Sequence, residues 1–174
     1  MSAEIRQLTP GLSMWGTALP VLTREGDNLA VHRALDEARE GDVLVVNAQA
    51  FRDRAVFGDV LGQAFLERGV RGVVVDGAVR DVEGLQRMGM PTFARAVTPA
   101  GPFKDGPGTV GEAVACGGVV CRPGDVVLGD GDGVVVVPAG RAGAVLAATL
   151  RQAEVERLLR VRIATEAHQP GRPH

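Results

Sequence analysis

Two segments of this 174-residue chain combine residue types that could act on a carboxylate: Phe57-Gly58-Asp59-Val60-Leu61, and Arg80-Asp81, with twenty residues between Asp59 and Arg80. A planar guanidinium such as that of Arg80 recognises a carboxylate through paired hydrogen bonds. The neighbouring Asp81 offers the hard oxygen ligand that Mg²⁺ prefers. From Asp59 to Arg68, apolar residues fall at Val60, Leu61, Ala64 and Phe65. That spacing predicts a helix opened by Gly58. Free N–H groups at such a helix start bind anions. Together the two segments offer an anion site beside a cation site, suited to metal-assisted chemistry on an oxo acid.

These residues need a scaffold, and the apolar pattern supplies one. Gly72-Val73-Val74-Val75-Asp76-Gly77 reads as a buried strand with Gly77 permitting a tight turn, so Arg80 and Asp81 fall just past a strand end. Upstream, Gly16 to Leu22 and Asp42 to Val46 are strand candidates. Asn28 to Arg39 carries Leu29, His32, Leu35 and Ala38 at helical intervals after a Gly-Asp-Asn start signal. Residues Asn47 to Phe57 form a connection, Val82 to Met88 a short helix, and Pro91 to Ala94 an extended segment. Strands alternating with helices predict parallel pairing in this half.

The second half has a different pattern. Thr98 to Gly111 is rich in Pro and Gly and is the longest expected irregular segment. Val114 to Cys121, Val126 to Gly129 and Val134 to Val137 are β-rich, the last two joined by a hairpin turn at Asp130-Gly131-Asp132-Gly133. Arg141 to about Thr165 is a long helix candidate, apolar at Val145, Leu146, Leu150, Val155, Leu158 and Leu159, and its length points to packing on a neighbouring subunit. The expected organisation is an α/β fold in one domain over residues 1–168, with a flexible tail over 169–174.

Composition narrows the function. A net charge of -2 and pI near 5.9 argue against a general nucleic-acid partner. Aromatic residues make up 3% of the chain and Tyr is absent, which removes base-stacking platforms. No apolar run approaches the roughly 20 residues that span a bilayer, and Met1 to Thr9 has no signal-peptide apolar segment, so a cytoplasmic protein without a membrane partner is expected. Cys116 and Cys121 are expected to be reduced apolar fillers. Trp15 is expected to be a packing residue.

Other signals point nowhere else. Gly106 to Gly111 matches GxGxxG literally but lacks the strand and helix of a dinucleotide turn. The acidic turn Asp130 to Gly133 lacks the further ligands of a calcium loop. Lys104 is the only lysine, and Pro102, Asp105 and Gly106 around it promise no desolvated pocket for Schiff-base chemistry, so it reads as a loop residue or an outer substrate contact.

With these residues laid out, the chain resembles the HMG aldolase and RraA-like family, whose aldolases carry an Asp, twenty residues, then Arg-Asp; Asp59, Arg80 and Asp81 match. The resemblance continues through Gly26-Asp27-Asn28, Gly41 to Val46, Gly72 to Asp81, Pro99 to Gly108, Pro123-Gly124-Asp125 and Asp130 to Pro138. It implies a swivelling β/β/α-type sandwich with a mixed sheet, and trimers or hexamers with sites between subunits. It implies divalent-metal-dependent cleavage of 4-hydroxy-4-methyl-2-oxoglutarate or 4-carboxy-4-hydroxy-2-oxoadipate, with oxaloacetate decarboxylation as a side activity. Carried over, Arg80 holds the pyruvyl carboxylate and keto oxygen, Asp81 binds Mg²⁺ or Mn²⁺, and Asp59 orients water on the metal. The N–H groups of Gly58, Asp59, Val60 and Leu61 complete the carboxylate cradle. An acidic residue from a neighbouring subunit is also implied, with Glu154 and Glu156 as candidates. The family's usual N-terminal helical segment is expected to be missing or replaced. Some relatives regulate an RNA-degrading endonuclease by binding it, which is the competing, non-catalytic expectation.

Overall fold

The computed structural model describes residues 1–167, and the expected tail at 169–174 lies outside them. In chain order the elements are β1 (Arg6–Gln7), β2 (Met14–Thr23), α1 (Leu29–Glu37), β3 (Asp42–Asn47), β4 (Ala55–Phe57), α2 (Asp59–Glu67), β5 (Gly72–Val79), α3 (Val82–Met88) and β6 (Thr92–Val97). They continue with β7 (Gly108–Val110), β8 (Val114–Cys116), β9 (Val119–Cys121), β10 (Val126–Asp130), β11 (Gly133–Val137) and α4 (Ala142–Ala167). The chain divides into two compact units, Met1–Ala139 and the segment from Gly140 onward.

The first unit is built on a nine-stranded mixed sheet in the order β1-β6-β5-β3-β2-β10-β11, with β4 on β5 and β7 on β2. The inner strands β2, β3, β5 and β6 are parallel; β10 and β11 continue the sheet antiparallel, as expected for the second half. Near-continuous Val/Leu runs such as Val43-Leu44-Val45-Val46 arise because both faces of these strands are covered. Leu44, Val46, Val73 and Val75 belong to the core beneath the helices, with Val31, Phe57, Phe65 and Leu85. Their alternates Val43, Val45 and Val74 pack with Val114, Cys116 and Cys121 of the separate β8-β9 hairpin. Hairpin, sheet and helices therefore form the β/β/α layers of the expected sandwich.

Several local expectations change. The run Val114 to Cys121 is a hairpin rather than one strand, turning at Gly117 and Gly118 with φ of +55° and +76°, values that favour glycine. Gly77 lies inside β5, which runs on to Val79 past an irregularity between Val75 and Ala78. A Cβ there would sit 2.7 Å from Ala48 Cβ, so close packing rather than a turn requires this glycine. The connection at Asn47 to Phe57 ends in β4, and the irregular Thr98 to Gly111 segment ends in β7. α1 fully buries Ala30, Val31 and Ala34, while Leu35 and Ala38 of the expected row pack partly buried against the same core. Val60 is 77% exposed, and α2 instead buries Leu61, Gly62 and Phe65.

Trp15 is not a core residue. It is 63% exposed, with the Arg71 guanidinium 4.4 Å from the ring centre. It stands opposite Leu128, which stands opposite Val135, giving an exposed apolar ladder across β2, β10 and β11. Cys116 and Cys121 are buried and unbridged, and burial pushes the Cys121 thiol up to about 12. The second unit is formed by α4, on which Leu146, Leu150, Val155, Leu158, Leu159, Val161 and Ile163 are each more than half exposed. No helix among the described residues is long and apolar enough to cross a membrane.

Candidate active site

The ends of β4 and β5 and the start of α2 meet at one place. Phe57 pairs with Val79, and the Arg80 N–H donates to the Phe57 carbonyl at 2.9 Å, so Arg80 leaves the sheet beside the residue that begins the helix. Asp81 follows at φ +55° and ψ +38° in the N-cap position of α3, without a side-chain bond to the helix N–H groups. This left-handed conformation is one that Asp tolerates better than most residues, and here it turns the chain sharply after the strand. Arg80 Nε and Asp81 Oδ2 form an ion pair at 3.1 Å, each side chain about 40% exposed at 42% and 40%.

Gly58 leaves room at this junction for the Arg80 and Asp81 side chains as they stand. A Cβ on it would stand 2.7 Å from Asp81 Oδ2 and 2.9 Å from Arg80 Cγ. Its side-chain-free backbone leaves the α2 start uncapped, and the first helical bond runs from the Gly62 N–H to the Gly58 carbonyl. The N–H groups of Asp59, Val60 and Leu61 thus precede the helical ladder. Gly58, Val60, Leu61 and Arg80 line one pocket of about 170 Å³. Asp81 reaches this group through its ion pair with Arg80. The Asp59 carboxylate lies against α3, where a Cβ on Gly84 would come within 2.9 Å of its Oδ2, and Asp59 does not line the pocket.

The rest of the pocket lining was not legible as a site in the sequence. It includes Asn28, His32, Pro102 and Lys104. Asn28 is 4% exposed, and its Oδ1 has no hydrogen-bond partner. A buried acceptor left open at a pocket wall is costly unless a ligand donor satisfies it. Burial pushes the His32 imidazole below its ordinary pKa, and the positive charge of Lys104 adds to this, so the ring is neutral at pH 7. Asn28 and His32 are four residues apart at the start of α1 and share a face, and that spacing is the one signal of them in the sequence. Lys104 is the loop residue expected, and it lines the pocket.

Arg80 and Lys104 give the pocket two cations, uncapped helix N–H groups add further donors, and Asn28 adds an acceptor. That set can bind an anion at each of two points and orient a hydroxyl or keto oxygen between them. Among the described residues no group of three or more His, Cys, Asp or Glu gathers as a metal cage. The exposed oxygen donor of Asp81 fits a cation that keeps most of its waters and takes one or two carboxylates. Glu154 is paired with Arg157 at 2.8 Å, and Glu156 with Gln152 at 3.1 Å, both within α4.

The family model described as RraA-like, Aldolase/RraA, matches residues 1–136. A protein of Halalkalibacterium halodurans, provisionally named 4-hydroxy-4-methyl-2-oxoglutarate aldolase, is 42% identical over 147 residues, covering 84% of this chain and 70% of the relative. The structure of the RNA-processing inhibitor RraA from Thermus thermophilis superposes with a TM-score of 0.73 and 31% identity, over 79% of this chain and 84% of the other. A Streptomyces coelicolor structure, described as an unusual member of the RNase ES inhibitor RraA protein family, superposes at 0.82 with 32% identity, over 91% and 82%.

Proposed function

Because this chain belongs to the RraA-like family of aldolases and RraA proteins, we propose that it is a divalent-metal-dependent aldolase releasing pyruvate from a branched 4-hydroxy-2-oxo acid. 4-Hydroxy-4-methyl-2-oxoglutarate and 4-carboxy-4-hydroxy-2-oxoadipate are the substrate class, and oxaloacetate decarboxylation is a side activity of the same site. The observation that carries this reading is the Arg80–Asp81 pair held against Gly58 at the uncapped start of α2.

The substrate's C1 carboxylate binds the Arg80 guanidinium and the N–H groups at the start of α2, and Arg80 also faces the C2 keto oxygen. The C4 hydroxyl donates to the open Asn28 Oδ1, and the distal carboxylate lies toward Lys104. At cleavage the hydroxyl proton passes from its bond with Asn28 Oδ1 to a water in the pocket, which Asp59 orients from outside the lining. The C3–C4 bond then breaks, C4 becomes a carbonyl, and the electron pair passes to the C2 oxygen as an enolate that Arg80 stabilises. Protonation at C3 completes pyruvate. Oxaloacetate reaches the same enolate by losing carbon dioxide from C4. Asp81 would hold Mg²⁺ or Mn²⁺, whose contribution is Lewis-acid polarisation of the keto oxygen.

Pyruvate release from oxaloacetate should therefore require added Mg²⁺ or Mn²⁺ and fall to background with chelator. Turnover that chelation leaves untouched would sink the metal-dependent reading. The alternative, a binding regulator of an RNA-degrading endonuclease, is supported by the descriptions of the two superposed structures. Turnover absent under every metal condition would favour it.

The same proposal extends to the assembly, a homotrimer or hexamer whose sites a neighbouring copy completes. Two observations support it: the Trp15-Leu128-Val135 ladder and the exposed apolar residues of α4. Light scattering on the purified chain should give three or six copies, and a monomeric mass would contradict it.

A further inference from the structure

The Lys104 loop and the start of α1 approach the pocket from parts of the chain more than seventy residues apart, yet one buried carboxylate is bonded to both. Asp27 is fully buried, at 0% exposure. Its Oδ1 accepts the Leu29 N–H at 2.9 Å, immediately after Asn28. Its Oδ2 accepts the Asp105 N–H at 2.7 Å and the Gly106 N–H at 2.9 Å, immediately after Lys104. The backbones on either side are tied as well: the Phe103 N–H donates to the Gly26 carbonyl at 2.8 Å, and the Asn28 N–H to the Phe103 carbonyl at 3.0 Å.

We propose that Asp27 is a positioning residue, a buried carboxylate clamp that sets Lys104 and Asn28 at their places on the pocket wall. This rests on the reading of the pocket as an oxo-acid site. Asp27 does not itself line the pocket, so it acts only through the two segments it joins. Hydrogen bonds from N–H groups to an ionised acceptor are stronger than neutral ones, which is why one carboxylate can hold a loop that is otherwise exposed. Burial by itself would raise the Asp27 pKa, but the three backbone donors and Arg24 outweigh it and hold the group below the ordinary carboxylate range. The clamp is therefore charged throughout the neutral range.

Stability alone would not separate a clamp from a plain structural residue, so the test reads placement. In the wild-type chain, hydrogen exchange should find the Asp105 and Gly106 amides protected although Asp105 itself is exposed; fast exchange there would overturn the proposal without any variant. The second readout is the His32 titration followed by NMR, with His32→Gln to assign it. Lys104→Met removes the charge beside His32 and should raise its pKa. Asp27→Asn keeps Arg80 and Lys104 but removes the carboxylate that accepts the Asp105 and Gly106 N–H groups, so the rise caused by Lys104→Met should be smaller in the Asp27→Asn background than in the wild-type chain, a comparison in which the lost Asp27 charge cancels. A His32 pKa unmoved in Lys104→Met, or raised by Lys104→Met as much in the Asp27→Asn background as in the wild-type chain, would overturn it.

The third readout is kinetic. Asp27→Asn should raise KM for oxaloacetate about 10-fold, the equivalent of one lost charge-assisted contact, with kcat little changed. A fall in kcat with KM unaltered would overturn the assignment. If the wild-type chain turns over no oxaloacetate, the functional reading fails, while the exchange and His32 measurements still decide the clamp. If Asp27→Asn does not fold, the wild-type exchange measurement decides it.

Discussion

Replacing Arg80 with alanine should lower kcat for oxaloacetate decarboxylation and for aldol cleavage by about 10²-fold or more, the loss measured when one preorganised oxyanion contact is removed. The guanidinium lies in the pocket wall at the helix start, where the enolate oxygen would develop. Its removal should leave the fold intact. The ion pair it forms with Asp81 is half exposed and contributes little to stability. The backbone bond from the Arg80 N–H to Phe57 remains in any variant. Arg80→Lys should recover only part of the activity, since an ammonium cannot present the paired donors of a guanidinium. Steady-state kinetics beside a melting curve check both points. Wild-type turnover in Arg80→Ala would remove the central contact of the proposed mechanism.

A single methyl group at Gly58 should be nearly as damaging. The Gly58 backbone, at φ -158° and ψ -172°, is extended and accepts any residue without strain. An alanine there therefore acts only through its Cβ, which would meet Asp81 Oδ2 at 2.7 Å, Arg80 Cγ at 2.9 Å and Arg80 Nε at 3.2 Å. The two side chains must move apart or away from the helix start. Displacement of that size costs about 10²-fold in kcat/KM when geometry is the basis of catalysis. The melting temperature should fall by only a few degrees, because the displaced groups are partly exposed and replacing a glycine N-cap by alanine costs about 1 kcal/mol or less. Near-normal kcat/KM in Gly58→Ala would show that the Arg80–Asp81 arrangement is not what the reaction needs.

Legibility followed the range of the interactions involved. The bounds of α3, Val82 to Met88, were readable because a short helix is encoded by adjacent residues, and so was the position of Arg80-Asp81 just past a strand. The Val-rich strands were readable because burial on both faces demands a continuous apolar run. β1, β4 and β7 were missed. Each is two or three residues long, and what makes it a strand is a partner far along the chain, as with Val110 opposite Val21. Val60 and Trp15 were misplaced for a related reason. Periodicity shows that an apolar side chain has a face, but the contacts of the whole fold decide which face is covered.

The residues of the site divide along the same line. By itself the sequence determined one wall: Asp59, Arg80 and Asp81, with their spacing, and a glycine opening a helix, all set by side-chain chemistry and local backbone preference. Only the tertiary structure decided that Arg80 enters the pocket while the Asp59 carboxylate rests against Gly84, and that Asn28, His32 and Lys104 join the same lining. The reason is physical. The clamp that joins Asn28 to Lys104 is a set of hydrogen bonds across 78 and 79 residues of chain, and such bonds exist only once strands, helices and loop have packed around the buried carboxylate that accepts them.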